Sequence, residues 1–355
     1  MELIDIKSLD YDELLETMAQ LGEKTFRGKQ VYQWLHEKSV TSFDEMTNLS
    51  KALREKLQQQ CYIAPVTEIT KLTSKDKATS KFLFGLKDGS VIESVLMKYK
   101  HGNSVCISSQ VGCRMGCNFC ASTLGGLERN LTVSEMLGQI YAIQNISGER
   151  VSNVVVMGTG EPMDNYDNFV KFVRMLTDEH GYNISQRNIT VSTCGLVEKI
   201  KQLADEKFSI TLAISLHAPN DEARRRLMPI ANKYSIKEIM EACDYYFEKT
   251  GRRVSFEYSL VQGENDSEEF AKQLGALLKG KNCHVNLIPV NPIKERDYKD
   301  SDATFVKNFK VTLEKLGINV TIRREMGRDI DGACGQLRRK HNEEARGLES
   351  DKGCI

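Results

Sequence analysis

Apolar residues recur at helical spacing from residue 1 to about 60. "DYDELLETMAQLG" and "FRGKQVYQWLHEK" both carry them three and four apart, and Gly22 separates the two runs. "SKALREKLQQQC" reads as a third helix. The pattern predicts a small all-helical front piece with a boundary near residues 62–75. The period then changes. "KFLFGL" and "SVIESVLMKYK" are short strand-like runs joined by "KDG", and Asp-Gly at that place signals a hairpin. From residue 104 strand and helix patterns alternate. The predicted strands are "SVCISS" (104–109), "NVVVMG" (153–158), "RNITVST" (187–193), "SITLAISLH" (209–217), "RRVSFEYSLV" (252–261), "HVNLIPV" (284–290) and "NVTIRR" (319–324). Helical stretches such as "TVSEMLGQIYAIQ", "DNFVKFVRMLTDE", "IKEIMEACDYYFEK" and "EEFAKQLGALLKG" lie between them. Alternation of this kind implies a parallel sheet with right-handed crossovers, open or curved toward a barrel.

In parallel α/β folds the ligand site lies at the carboxyl ends of the strands. The unusual residues of this chain collect there. "CRMGCNFC" (113–120) follows the first strand of the alternating part, and "GTGEP" (158–162) ends the second. Ser192 ends the third, Ser215 and His217 end the fourth, Asn291 follows the sixth, and "GACGQ" with Cys334 follows the last. All of them are expected on one rim.

Composition narrows the class. The chain has 355 residues, enough for a sizeable core without disulfide staples. It opens with acids rather than a basic segment and an apolar run, and no stretch approaches a membrane span, so a cytoplasmic protein is expected. Lys plus Arg is 49 and Asp plus Glu is 49, which argues against coating nucleic acid through bulk charge. Local patches at Arg224–Arg226, Arg323–Arg324 and Arg338–Lys340 read, one by one, as solvated faces. Cys61, Cys243 and Cys283 read as small core residues, and Cys354 lies in a polar tail expected to be disordered.

Cys113, Cys117 and Cys120 can hold three irons of a four-iron cubane and leave the fourth iron open to a chelating amino acid. The competing reading is a zinc knuckle completed by a remote His or Cys. The strand-end setting speaks against zinc, because zinc knuckles usually sit on small hairpins. "GTGEP" lacks the Lys of a phosphate loop, but Glu161 beside Gly160 offers a carboxylate to an amine or ribose. Ser192, Ser215 and Asn291 together suggest a polar ligand such as a nucleoside. Cys106 and the Gly-flanked Cys334 are each most simply buried thiols; at one mouth they could act as nucleophile and resolving thiol.

These residues carry a resemblance. "CRMGCNFC", with Phe119 before the last cysteine, resembles the cluster loop of radical S-adenosylmethionine enzymes. "SVCISSQVGC", "GTGEPMDN", "ISLHAPND", "LIPVNP" and "DIDGACGQL" resemble, more narrowly, the RlmN/Cfr family of RNA adenine methyltransferases, on its C2 branch. The likeness runs from about residue 80 to 340, and the front piece resembles the family's helical RNA-binding domain. It implies an α/β fold: a partial, open TIM-like β/α barrel of the radical S-adenosylmethionine type with a small N-terminal all-helical domain. The expected divisions are 1–70 (helical RNA-binding unit), 71–103 (hairpin extension), 104–340 (radical core) and 341–355 (tail). It further implies one [4Fe–4S] cluster on Cys113, Cys117 and Cys120. Two S-adenosylmethionines would be used per turnover, contacted by Gly160, Glu161, Ser192, Ser215 and Asn291, with His217 beside them. Cys334 would be the methyl carrier, Cys106 the releasing thiol and Glu93 the proton acceptor. The implied substrates are adenosine 2503 of 23S rRNA and adenosine 37 of tRNA. A donor such as flavodoxin or ferredoxin, a disulfide reductant and a monomeric state complete the expectation. C8 methylation of the same ribosomal adenine and a zinc-stapled, non-catalytic RNA-binding protein are the alternatives.

Overall fold

A computed structural model of the chain describes residues 3–100, 102–290, 298–323, 328–330 and 335–343. Asn291, Cys334 and the tail from 344 lie outside them.

The front piece holds β1 (Ile4–Asp5), α1 (Tyr11–Gln20), α2 (Thr25–His36), α3 (Lys51–Gln60) and β2 (Cys61–Tyr62). Asp10 starts α1 through a capping box with Glu13, which satisfies two of the orphan N–H groups at the helix start. Leu14, Met18, Val31, Leu35, Leu53 and Leu57 close a core of their own, separate from the main one. β1 and β2 pair parallel across this unit, an addition the helical periodicity does not disclose.

The main sheet has ten strands. Its antiparallel part is β3 (Thr67–Thr73), β4 (Thr79–Gly85) and β5 (Val91–Tyr99), and β5 pairs antiparallel with β6 (Gly102–Cys106). β4 and β5 are the expected hairpin. β3 is an extra strand, nearly all exposed, without the buried alternation that marks the others. After β6 come β7 (Gln110–Gly112) and β8 (Leu127–Asn130), a small antiparallel pair outside the main sheet. The alternating part follows: α4 (Val133–Ser147), β9 (Val151–Val156), α5 (Tyr166–Thr177), β10 (Ile189–Thr193), α6 (Val197–Asp205), β11 (Thr211–Ser215), α7 (Asp221–Leu227), α8 (Ile236–Thr250), β12 (Val254–Leu260), α9 (Glu268–Leu278), β13 (Cys283–Pro289), α10 (Ala303–Lys315) and β14 (Val320–Ile322).

β6 and β9 through β14 are parallel neighbours in chain order. An order without reversal places every right-handed crossover helix on the same face. That face is apolar: Val105, Val154, Val156, Val191, Leu212, Ile214 and Phe256 pack with Met136, Ile140, Phe169, Phe172 and Ile239. Burying each such side chain contributes roughly 1.5–3 kcal/mol. The opposite face carries the alternate residues. The register lines up Cys106, Val155, Thr190 and Thr211 in one row, and Ser215, Glu257, Asn286 and Thr321 in another. Among the described residues β14 pairs only with β13 and β3 only with β4, so the barrel is open. No helix of the described residues is long and apolar enough to cross a membrane.

Candidate functional site

The cysteine loop leaves β7 and returns through β8. Gly112 makes this possible: its φ is +77°, and a Cβ there would lie 2.0 Å from the Gly126 carbonyl oxygen. The loop therefore does sit on a small hairpin, and setting alone does not argue against zinc. Burial pushes the Cys113 thiol up to about 12, and the charge of Cys120 adds to this. Burial, Cys120 and Cys113 drive Cys117 well above the ordinary thiol range. Thiolates here require positive charge brought to them, as a cluster brings it.

The loop is held from outside. The Asn118 backbone N–H donates to the Leu227 carbonyl at 2.9 Å, and its side-chain amide to the Arg226 carbonyl at 2.7 Å. Both acceptors end α7. Thr123 Oγ1 donates to the carbonyls of Cys117 (3.1 Å) and Cys120 (2.9 Å). Phe119 meets the His217 ring edge to face, centroids 4.8 Å apart.

The glycines of "GTGEP" serve close backbone approach. A Cβ on Gly158 would come within 2.7 Å of the Ile107 backbone, and one on Gly160, at φ +115°, within 2.7 Å of the Gln110 nitrogen. Gln110, fully buried, accepts from the Glu161 N–H at 2.8 Å and donates to Asn130 and Asp164. Glu161 is buried too. Its carboxylate accepts from the N–H of Cys194 at 2.7 Å and of Met163 at 3.0 Å. Burial raises its pKa despite those bonds. The carboxylate thus ties the end of β9 to the end of β10. Ser192 and Ser215 share a 3.1 Å hydroxyl contact across adjacent strand ends. His217 has φ +57°, unusual for a residue with a Cβ. Its Nδ1 accepts from the Ser259 N–H at 2.9 Å. Burial, with Arg224 nearby, lowers its pKa to about 3.

The second half of the site lies on β5 and β6. Glu93 and Val95 project to one face, and Val95 pairs with Cys106, which makes Glu93 and Cys106 diagonal neighbours. Cys106 is buried with Val95, Met97, Val155 and Met157. Glu93, 3% exposed, receives the Lys81 ammonium at 3.2 Å; Lys81 is itself fully buried. The Glu93 carboxylate also accepts the backbone N–H groups of Gly335 and Arg338, both at 2.6 Å. Gly335 has φ +85°, and a Cβ there would meet the Ser122 nitrogen at 2.9 Å. The Gly335 backbone therefore lies close against residues that follow Cys120.

Several functional candidates escaped the sequence reading. Lys81 sits in a strand where nothing distinguishes it from a solvated lysine. Gln110 and Asn165 knit the "GTGEP" loop to β7 and to the Ser109 and Leu131 carbonyls. Two of the solvated-face readings are corrected. The Arg224 side chain is fully buried, and Arg338 is buried and ion-paired with Glu128.

A cluster loop at the carboxyl edge of an open β/α barrel defines the radical S-adenosylmethionine class, and that superfamily's model matches residues 107–274. Residues 4–63 match the ribosomal RNA large subunit methyltransferase N-terminal domain. The probable dual-specificity RNA methyltransferase RlmN of Lachnospira eligens is 68% identical over 99% of this chain and 100% of that protein. Its namesake in Lachnoclostridium phytofermentans is 65% identical over 96% of each. The crystal structure of a radical SAM methyltransferase from Sphaerobacter thermophilus is 42% identical, with a TM-score of 0.91 over 94% of this chain and 98% of that one. The chain belongs to the RlmN family.

Proposed function

We propose that this protein is an RNA methyltransferase that places a methyl group on C2 of adenosine 2503 in 23S rRNA and adenosine 37 in tRNA. The observation that carries the reading is the convergence on Glu93. One carboxylate joins the strand face of Cys106 to the backbone N–H that follows Cys334 in the chain, and that backbone lies against the end of the cysteine loop. Family membership supplies the coarser part, an RlmN-type RNA methyltransferase.

In this reading Cys113, Cys117 and Cys120 hold one [4Fe–4S] cluster. The rim of Gly160, Glu161, Ser192, Ser215, His217 and Asn291 orients S-adenosylmethionine, two molecules per turnover. When bound, these groups supply the methyl carbon, the one-electron cleavage of a carbon–sulfur bond and the abstraction of a hydrogen atom. The protein's own residues do the rest. The Cys334 thiolate accepts the methyl group and carries its carbon to C2 of the adenine, forming a covalent protein–RNA adduct. Glu93 takes the C2 proton; Lys81 is the counter-charge beside it. Cys106 attacks the sulfur of Cys334: the S–S bond forms as the S–C bond breaks, the carbon released from sulfur takes a proton to become the methyl group, and the odd electron left by the radical addition would return to the one-electron couple that supplied it as the methylated base leaves. A cellular reductant restores both thiols. The adenine has to leave its stack to reach such a site. Residues 1–70 serve as the RNA-binding unit, 71–103 as a hairpin extension and 104–340 as the catalytic core. Anaerobic turnover with both RNAs, followed by mass spectrometry of the nucleosides, tests the reading. We expect 2-methyladenosine; 8-methyladenosine as main product contradicts it.

A further inference from the structure

The three arginines of α7 have different fates. Arg225 and Arg226 are exposed, while Arg224 is 0% exposed. Its guanidinium reaches three carbonyl oxygens: Nε to Leu216 at 3.1 Å, and Nη2 to Cys194 at 2.6 Å and Ser215 at 3.4 Å. Nη1 is buried and has no hydrogen-bond partner. Among the described residues the one carboxylate that acts on it is Asp221 on the same helix, and that attraction is weak. A buried cation left in this state is costly, and buried charges are normally paired. Cys194, whose carbonyl Arg224 holds, packs in one apolar cluster with Cys117 and with Leu227 of the same helix. The helix that bears Arg224 also grips Asn118, between Cys117 and Cys120.

We propose that Arg224 is a positioning and potential-setting residue for the cluster: its charge, held by three strand-end carbonyls, is the internal counter-ion of the thiolate-ligated cluster at the Cys117 corner. The inference rests on Cys113, Cys117 and Cys120 as the cluster ligands. Carbonyl acceptors fix the guanidinium without neutralising it, so its charge remains available to the cluster. Reduction adds one negative charge to the cluster, and a fixed positive charge in a low-dielectric site favours the reduced form.

The test compares full-length Arg224→Met, Arg224→Gln and Arg224→Lys proteins, reconstituted anaerobically and titrated by electron paramagnetic resonance. Gln can keep a donor for the carbonyls without the charge, so it decides the matter if the Met variant does not fold. Arg225→Met on the exposed side of α7 is the control. With iron and sulfide content matched, loss of the charge is expected to disfavour reduction by roughly tenfold, about 59 mV for a one-electron couple. Arg224→Lys is expected to recover most of that shift, and the control none of it. Wild-type potentials in the neutral variants would overturn the inference. So would a shift that appears only when S-adenosylmethionine is present, which would make its carboxylate the counter-ion. Absence of any cluster in the wild-type protein would instead defeat the ligand assignment itself.

Discussion

Two buried cations organise the site at the level of single residues, and neither announces itself in the sequence. Lys81 lies two residues beyond Thr79 in a strand that also holds Phe82 and Phe84, so composition gives no reason to single it out. Its significance comes from pairing register: Lys81 lies opposite Val95, two residues along from the Leu83–Glu93 pair and on the same face as Glu93. Replacing it with Met leaves the Glu93 carboxylate buried without its counter-charge. Lys81→Met is expected to cost roughly 3–5 kcal/mol in chemical denaturation of the cluster-free protein. The double change Lys81→Met with Glu93→Gln is expected to recover part of that stability while remaining inactive. Equal stability of Lys81→Met and the parent protein would show that the pair does not hold the site together. That the cysteine loop, Gly160, Ser192, Ser215 and His217 collect at strand ends was legible, because loop chemistry is concentrated there. Lys81, Gln110 and Arg224 were not, because burial of a polar side chain depends on contacts between elements far apart in the chain.

At the scale of elements, the alternation of strand and helix was readable because each buried strand repeats an apolar residue every second position and each helix shows one apolar stripe. The predicted strands from 153 onward run one or two described residues too long at one or both ends. Where the excess lies at the carboxyl end, those residues belong to the rim, where polar side chains replace the sheet pattern. β3 and the β7–β8 pair were missed for a different reason. β3 is an edge strand with little burial, and β7 is three residues long. The small pair has a clear function nonetheless, since it presents the cysteine loop. Gly112 is its weak point. Gly112→Ala places a methyl group against the Gly126 carbonyl and demands a positive φ from alanine. The variant is expected to fold its main sheet, with an unchanged far-ultraviolet circular dichroism spectrum, but to bind less than a tenth of the parent's iron. Full iron loading would mean that the hairpin does not set the loop's geometry.

At the scale of the whole molecule, the front piece is docked on the barrel and so holds a fixed relation to the rim. His36 Nδ1 meets the Tyr141 hydroxyl at 3.0 Å, Asn145 donates to the Ser39 carbonyl at 3.0 Å, and Tyr11 stacks on His180. Glu13 and Lys171 add an ion pair across the same seam. Glu93 links the other distant parts, joining the antiparallel extension to the segment near the chain's end. The separation of Cys106 and Cys334 along the sequence is thereby compatible with a shared site, which neither periodicity nor composition could establish. The most direct measurement uses the Cys106→Ala protein, isolated with its RNA, digested with nuclease and weighed intact. We expect a mass increase from a nucleotide fragment joined through one carbon to Cys334, lost when Cys334 is also changed to Ala. Released methylated adenosine from Cys106→Ala at the parent's rate, with an unmodified protein mass, would contradict it.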